Sequence, residues 1–272
     1  LGAMNPQGCT VTGFKVPSKE EAAHDFLWRY HQHTPAKGQV AIFNRSHYEE
    51  VLVQRVHKMV PKAVWSKRYE HINDFERVLH DNGTHILKFY LHIDADEQLM
   101  RFRQRIEDPA RHWKISDGDY AERPFWDAYT EAFEDALGKC STKHAPWFII
   151  PSNHKWFRNL AISTIIAEKL EEVTGTTVIV ENRPGAGGTL AIANVAEMPA
   201  DGYTVEVEVP EGLPIETRDL PRMLRGSIEE LGGGKKGMSQ VARNVRQVSR
   251  FIDVLINGVT NHQFDAGIIL PG

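Results

Sequence analysis

Between residues 11 and 172, short apolar runs alternate with longer segments whose apolar residues recur every three or four positions. That rhythm points to stacked βα units with a parallel sheet. The expected strands are residues 11–16, 40–43, 85–92 and 147–151. Ser18 followed by Glu21 has the pattern of a capping box, which opens a helix carrying Phe26, Leu27 and Tyr30. A helix beginning near Tyr48 is broken by Pro61. The next, with Ile72, Phe75, Val78 and Leu79 on one stripe, stops at Asn82-Gly83. Residues 155–173 form a last amphipathic helix that packs through Leu160, Ile162, Ile165 and Ile166.

Residues 96–137 break this rhythm. They are long, charged and interrupted by Pro109 and Pro124, as expected of helices that cover a site rather than build a core. A further change falls near 173–175. Beyond it come an expected strand at 176–180, a Gly-rich loop at 183–188, a helix at 190–198 and a strand at 203–209. After residue 210 the chain is rich in Pro, Gly and charge.

The 272 residues are enough for one large or two small domains with a real core. A formal charge of −4 argues against a general nucleic-acid binder, and no specific nucleic-acid partner is expected. No apolar run approaches the roughly 20 residues that span a bilayer, so no membrane partner is expected either. Cys9 and Cys140 are far apart and show no metal-ligand spacing, which suits a reducing cytoplasm. Thirteen histidines include no recognised ligand arrangement, so no protein-held metal is expected. No GxSxG elbow occurs. Residues 1–4 read as an expression scar.

The stretch IFNRSHYE delivers Asn44 and Arg45 from the end of an apolar run to the mouth of a helical segment, the place where α/β sheets handle phosphate. Arginine suits that task because its planar fork meets two oxygens and stays charged. A surface arginine paired with Glu49 is an equally open reading. Arg101, Arg103, Arg105, Arg111, Lys114 and Arg123 interleave with Phe102, His112 and Trp113 in residues 96–137. They suit a lid over a polyanion or, equally, a solvated helical face. Lys62, Lys67 and Arg68 carry the same ambiguity.

Several long stretches occur together: NPQGC (5–9), FKVPS (14–18), HDFLWRYH (24–31), IFNRSHYE (42–49), VWSKRYEHINDFERVL (64–79), LKFYLHI (87–93) and STKHAPWFIIPSNHKWFRNLAIS (141–163). In order and spacing they resemble the family-2 polyphosphate kinases over residues 5–172. The resemblance implies a P-loop kinase-like three-layer α/β/α fold with a helical lid at about 96–137. It also implies phosphate transfer between inorganic polyphosphate and nucleoside mono- or diphosphates, with Mg²⁺ held by the bound phosphates. By the same resemblance, Asn44 and Arg45 take a Walker-B-like position, Glu49 belongs to that motif, and Arg105 is the catalytic lid arginine. Lys67, Arg68, Arg111 and Lys114 then contact the polyphosphate chain.

Family members carry a GxDxxGK loop upstream of NPQGC. This chain starts after that position, so an N-terminally truncated core is expected, followed by an unrelated segment at 173–272. Within that segment VIVENRPGAGG resembles the solute-binding proteins of tripartite tricarboxylate transporters. Three readings follow: a phosphotransferase, a non-catalytic polyanion- or nucleotide-binding remnant or fusion, and a carboxylate-binding solute receptor. A homo-oligomer is left open.

Overall fold

The computed structural model describes residues 9–175, 177–181 and 204–206. The expected scar, the Gly-rich loop, the helix at 190–198 and residues 210–272 lie outside the described residues.

The strands are short and parallel. β1 (Cys9–Gly13) pairs with β2 (Val40–Asn44), placing Val11 beside Ile42. β3 (Lys88–His92) pairs with β4 (Trp147–Pro151), placing Tyr90 beside Ile149. Among the described residues no ladder joins the two pairs, so the expected single sheet is seen as two parallel ribbons. β4 is buried along its whole length, as an uninterrupted apolar run predicts for a strand covered on both faces.

β1 starts two residues and ends three residues earlier than expected. Val11 is 63% exposed and Val16 91% exposed, while Phe14, just past the strand, is buried against Tyr30 and Phe43 at ring distances of 4.5 and 4.9 Å. The apolar letters after Gly13 therefore serve packing outside the ladder. The capping box at Ser18 is present, with Glu21 Oε2 accepting the Ser18 amide at 2.6 Å. It opens only a 3-10 turn, Glu21–Ala23. Asp25 Oδ1 then accepts the amides of Leu27 and Trp28 and starts a separate short helix, α1 (Trp28–His31).

Past β2 the chain forms a 3-10 turn, His47–Glu50, and two one-turn helices, α2 (Val53–Val56) and α3 (Lys62–Trp65), the second N-capped by Pro61. α4 (Arg68–Asp81) buries Tyr69, Ile72, Phe75 and Glu76 on one stripe. It stops where Gly83 adopts φ +89° and donates its amide to His80 O at 2.9 Å. α8 (Lys155–Thr174) packs along β4 and ends at Gly175, φ +68°. β5 (Ile179–Glu181) and β6 (Thr204–Glu206) form a third parallel pair.

Residues 96–137 divide by burial. α5 (Ala95–Glu107), a 3-10 turn (Pro109–Lys114), α6 (Asp117–Glu122) and a second 3-10 turn (Arg123–Phe125) are largely exposed. α7 (Trp126–Cys140) is not: Ala132, Ala136, Leu137 and Cys140 join Tyr48, Val51, Leu52, Ile72 and Trp147 in the main core. The expectation that the whole segment covers a site is thus corrected for α7. Its buried face is built mainly from small residues, which allow close approach but give a weak apolar signal.

Candidate functional site

The carboxyl end of β2 carries the most unusual backbone among the candidate residues. Arg45 sits at φ +61°, in the left-handed region that costs a side-chain-bearing residue about 1 kcal/mol or more. Two anchors hold it there. Phe14 donates its amide to Asn44 O at 3.1 Å, and on the other side Ser46 Oγ accepts the Tyr48 amide. Arg45 makes no hydrogen bond or ion pair among the described residues. Asn44 and Arg45 are both exposed.

The turn that follows is fixed to the core. His47 Nε2 lies 3.1 Å from Glu76 Oε1, and the Tyr48 hydroxyl donates to the same oxygen at 2.9 Å. Lys88 Nζ donates to Glu76 Oε2 at 2.6 Å, to the Tyr48 hydroxyl oxygen at 2.8 Å and to Cys140 O at 2.7 Å. Burial pushes the Glu76 carboxyl up, but the His47 hydrogen bond and the Lys88 charge outweigh it and hold the group below its ordinary range. This network ties together the 3-10 turn, α4, β3 and the end of α7, two residues beyond Arg45.

Glu49, half-buried in the same turn, has its carboxyl pushed up by burial, with the charge of Arg45 pulling the other way. Tyr129 of α7 feels Glu49 and Arg45 electrostatically, and its hydroxyl donates to Glu122 Oε2 at 3.0 Å. His57 Nε2 meets that same oxygen at 3.0 Å. The end of α6 and the start of α7 therefore stand beside the Arg45 turn.

The covering helices are pinned at the carboxyl ends of β3 and β4. Asp94 Oδ1 caps α5 by accepting the Glu97 amide at 2.7 Å, and Asn153 Nδ2 donates to Asp94 Oδ2 at 2.7 Å. Arg101 donates to Ser152 O at 2.6 Å and to Asn153 O at 3.0 Å. Arg123 donates to Ala95 O and Gln98 Oε1. Among the described residues no group of three His, Cys, Asp or Glu side chains is placed to hold a metal ion, and no helix is long and apolar enough to cross a membrane.

A family model described as Polyphosphate kinase 2 matches residues 1–177. The chain belongs to the polyphosphate kinase 2 family. It is 52% identical over 168 residues to an AMP/ADP-polyphosphate phosphotransferase of Meiothermus ruber, covering 62% of this chain and 63% of the relative. Over 185 residues it is 44% identical to an ADP-polyphosphate phosphotransferase of Rhodopseudomonas palustris, covering 64% of each. It thus spans just under two thirds of the length of these relatives. The crystal structure of polyphosphate kinase 2 from Arthrobacter aurescens TC1 superposes with a TM-score of 0.62 at 42% identity, covering 71% of this chain and 68% of that one. A second family model, described as Tripartite tricarboxylate transporter family receptor, matches residues 162–217.

Within this polyphosphate kinase 2 chain, the residues singled out from sequence fall into distinct surroundings. Asn44, Arg45 and Glu49 share one turn. Arg105 lies on α5, its Nη1 donating to Lys114 O at 3.3 Å, which ties it to the 3-10 turn that carries Arg111 and Lys114. Arg111 pairs with Asp108 at 2.8 Å, and Lys114 Nζ stands 4.8 Å over the ring of Trp113, which is 78% exposed. Arg68 is committed elsewhere: its Nη1 donates to Glu50 O, Glu50 Oε2 and Gln54 Oε1 at 2.8–2.9 Å. Lys67, one residue before, is exposed and makes no side-chain hydrogen bond among the described residues. Among the described residues, no hydrogen bond or ion pair joins Lys67 or Arg68 to Arg105, Arg111 or Lys114. Sequence reading missed His57, Glu122, Tyr129 and the Glu76–Lys88 pair. Only the last left a signal, namely charges set on otherwise apolar stripes.

Proposed function

We propose that the site transfers phosphoryl groups between inorganic polyphosphate and a nucleoside mono- or diphosphate. The observation that carries this reading is Arg45: a cation without a hydrogen-bond or ion-pair partner among the described residues, held in a strained backbone beyond a parallel strand, beside a half-buried carboxylate and a pinned helical cover. Strain of this kind persists where the surroundings over-determine it.

In the direction of nucleotide synthesis, the terminal phosphoanhydride P–O bond of polyphosphate breaks and a P–O bond forms to a phosphate oxygen of the acceptor. The donor leaves one phosphate shorter. The acceptor oxygen is already anionic near neutral pH, so the step needs alignment and charge neutralisation rather than a base. Arg45 and Arg105 neutralise the transferring group, the nearby Glu49 carboxylate offsets part of the Arg45 charge until substrate arrives, and Arg111 and Lys114 hold the chain under the lid.

Glu49 and Asn44 offer too few oxygens for a protein-held Mg²⁺, which requires about six. A Mg²⁺ carried in by the substrate phosphates fits this donor set, and it would supply further charge neutralisation there.

Binding of polyphosphate without turnover is the second reading. It is favoured by the lack of a ladder between β2 and β3 among the described residues, since the strands carrying the two halves of the site are not tied to each other. Phosphorus NMR of the chain with polyphosphate, ADP and Mg²⁺ separates the two. New nucleotide γ-phosphate signal supports transfer, and a salt-sensitive complex without that signal supports binding alone.

A further inference from the structure

Two neighbouring residues at the end of α6 bond to different parts of the molecule. Arg123 donates to Ala95 O and Gln98 Oε1, which ties the return of the lid to the start of α5. Glu122 meets the body instead. Its Oε2 accepts from the Tyr129 hydroxyl of α7 at 3.0 Å and lies 3.0 Å from His57 Nε2, just past α2. An ionised carboxylate only accepts, so His57 Nε2 carries a proton in this contact. Burial and the Glu122 bond push the Tyr129 hydroxyl up, which keeps it a donor.

The two donors belong to a corner that is held without Glu122. Arg55, two residues before His57, donates to Asp135 Oδ2 and Glu131 Oε1 of α7 and to the Tyr69 hydroxyl, and its side chain is 12% exposed. Val56 is part of the main core. The Glu122 side chain, by contrast, is 50% exposed, so its pairing adds little to folding stability. What such a bond can set is where the cover rests on the corner.

That resting place bears on the site from both sides. Tyr129 feels the charges of Glu49 and Arg45, and Arg123 passes the constraint on to α5, the helix of Arg105. We infer that Glu122, His57 and Tyr129 form a clasp that sets the lid against the Arg45 turn, and that they are positioning residues acting through Arg105. For its effect on rate the inference rests on the phosphotransfer reading. Transfer is sensitive to such placement, because a shift of about 1 Å can cost about 10²-fold.

The test combines amide hydrogen exchange with ADP formation from AMP, polyphosphate and Mg²⁺ by the 272-residue chain. The parent is compared with Tyr129→Phe, Glu122→Ala and Glu122→Gln, the last of which keeps an acceptor oxygen. Tyr129→Phe and Glu122→Ala are expected to speed exchange in α6 and around Arg105 by about threefold or more, with β4 unchanged. Their kcat should fall about tenfold or more, with KM for polyphosphate within about twofold, because Arg111 and Lys114 still hold the chain. Glu122→Gln should recover part of both losses. In an Arg105→Ala background, Tyr129→Phe should lower kcat by no more than about twofold, a loss of effect that a merely structural role would not give. Unchanged exchange in Tyr129→Phe and Glu122→Ala overturns the clasp. Faster exchange with kcat retained, or the full further loss in the Arg105→Ala background, overturns positioning through Arg105. A parent without turnover removes the phosphotransfer reading; faster exchange around Arg105 in the variants then upholds the clasp, and unchanged exchange overturns it as well.

Discussion

Lys88 Nζ lies 2.6 Å from Glu76 Oε2, with Glu76 fully buried and Lys88 only 7% exposed. A buried ion pair of this kind adds little net stability, because both ions lose their hydration. What it contributes here is position. The same carboxylate receives His47 and Tyr48, which fix the turn carrying Arg45.

Glu76→Gln is expected to destabilise the chain by about 3–5 kcal/mol, because it leaves the Lys88 ammonium buried without its counter-charge. Replacing both by apolar residues, Glu76→Leu with Lys88→Met, is expected to cost less than either single change. Urea denaturation of the three variants checks this. A double variant as unstable as the sum of the singles would show that the pair is not coupled.

The acid limb of stability follows from the same residue. The folded-state pKa of Glu76 lies below its unfolded value of about 4.3, so the stability it contributes is full above that value and is lost as pH falls towards the folded pKa. Thermal melts from pH 6 downward should show a decline that is shallower in Glu76→Gln than in the parent.

Arg45→Gly separates strain from function. Glycine adopts φ +61° without the side-chain penalty, so the variant is expected to be as stable as the parent or up to about 1 kcal/mol more stable. Any phosphate transfer should fall at the same time. By contrast, Gly83→Ala should cost about 1 kcal/mol through backbone conformation alone, since no atom lies within 4 Å of the added Cβ position, and it should leave ligand binding unchanged. Chemical denaturation and polyphosphate titration of both variants check these outcomes.

Arg101→Ala removes the two bonds that hold α5 to Ser152 and Asn153. Limited proteolysis is expected to cut the variant faster than the parent within residues 108–125, while hydrogen exchange in β4 stays unchanged. Equal cutting rates would mean that the other pins, at Asp94 and Arg123, suffice.

β2 and β4 are legible because each is a dense apolar run, and the expected β4 coincides with the observed strand at its full extent. β1 was displaced because Phe14 and Val16 continue the apolar letters without continuing the ladder. α7 reads as a cover because its buried face, Ala132, Ala136, Leu137 and Cys140, holds one large apolar residue. The place of Arg45 could be read from its position after β2, but its left-handed conformation could not, since it depends on anchors at Phe14 and Tyr48. Arg68 shows the limit of reading charge from letters: its partner, Glu50, lies in a different helical turn, and only folding brings the two together.

The central claim is that Arg45 and Arg105 act on one transferring phosphoryl group. It is tested most directly by measuring ADP formed from AMP, polyphosphate and Mg²⁺ by the parent, Arg45→Ala, Arg105→Ala and the double variant. Each single change should cost about 10²–10³-fold in rate with the melting temperature retained. The double variant should lose less than the product of the singles, because the two arginines serve one group. ADP formation that is unchanged in Arg45→Ala would contradict the account.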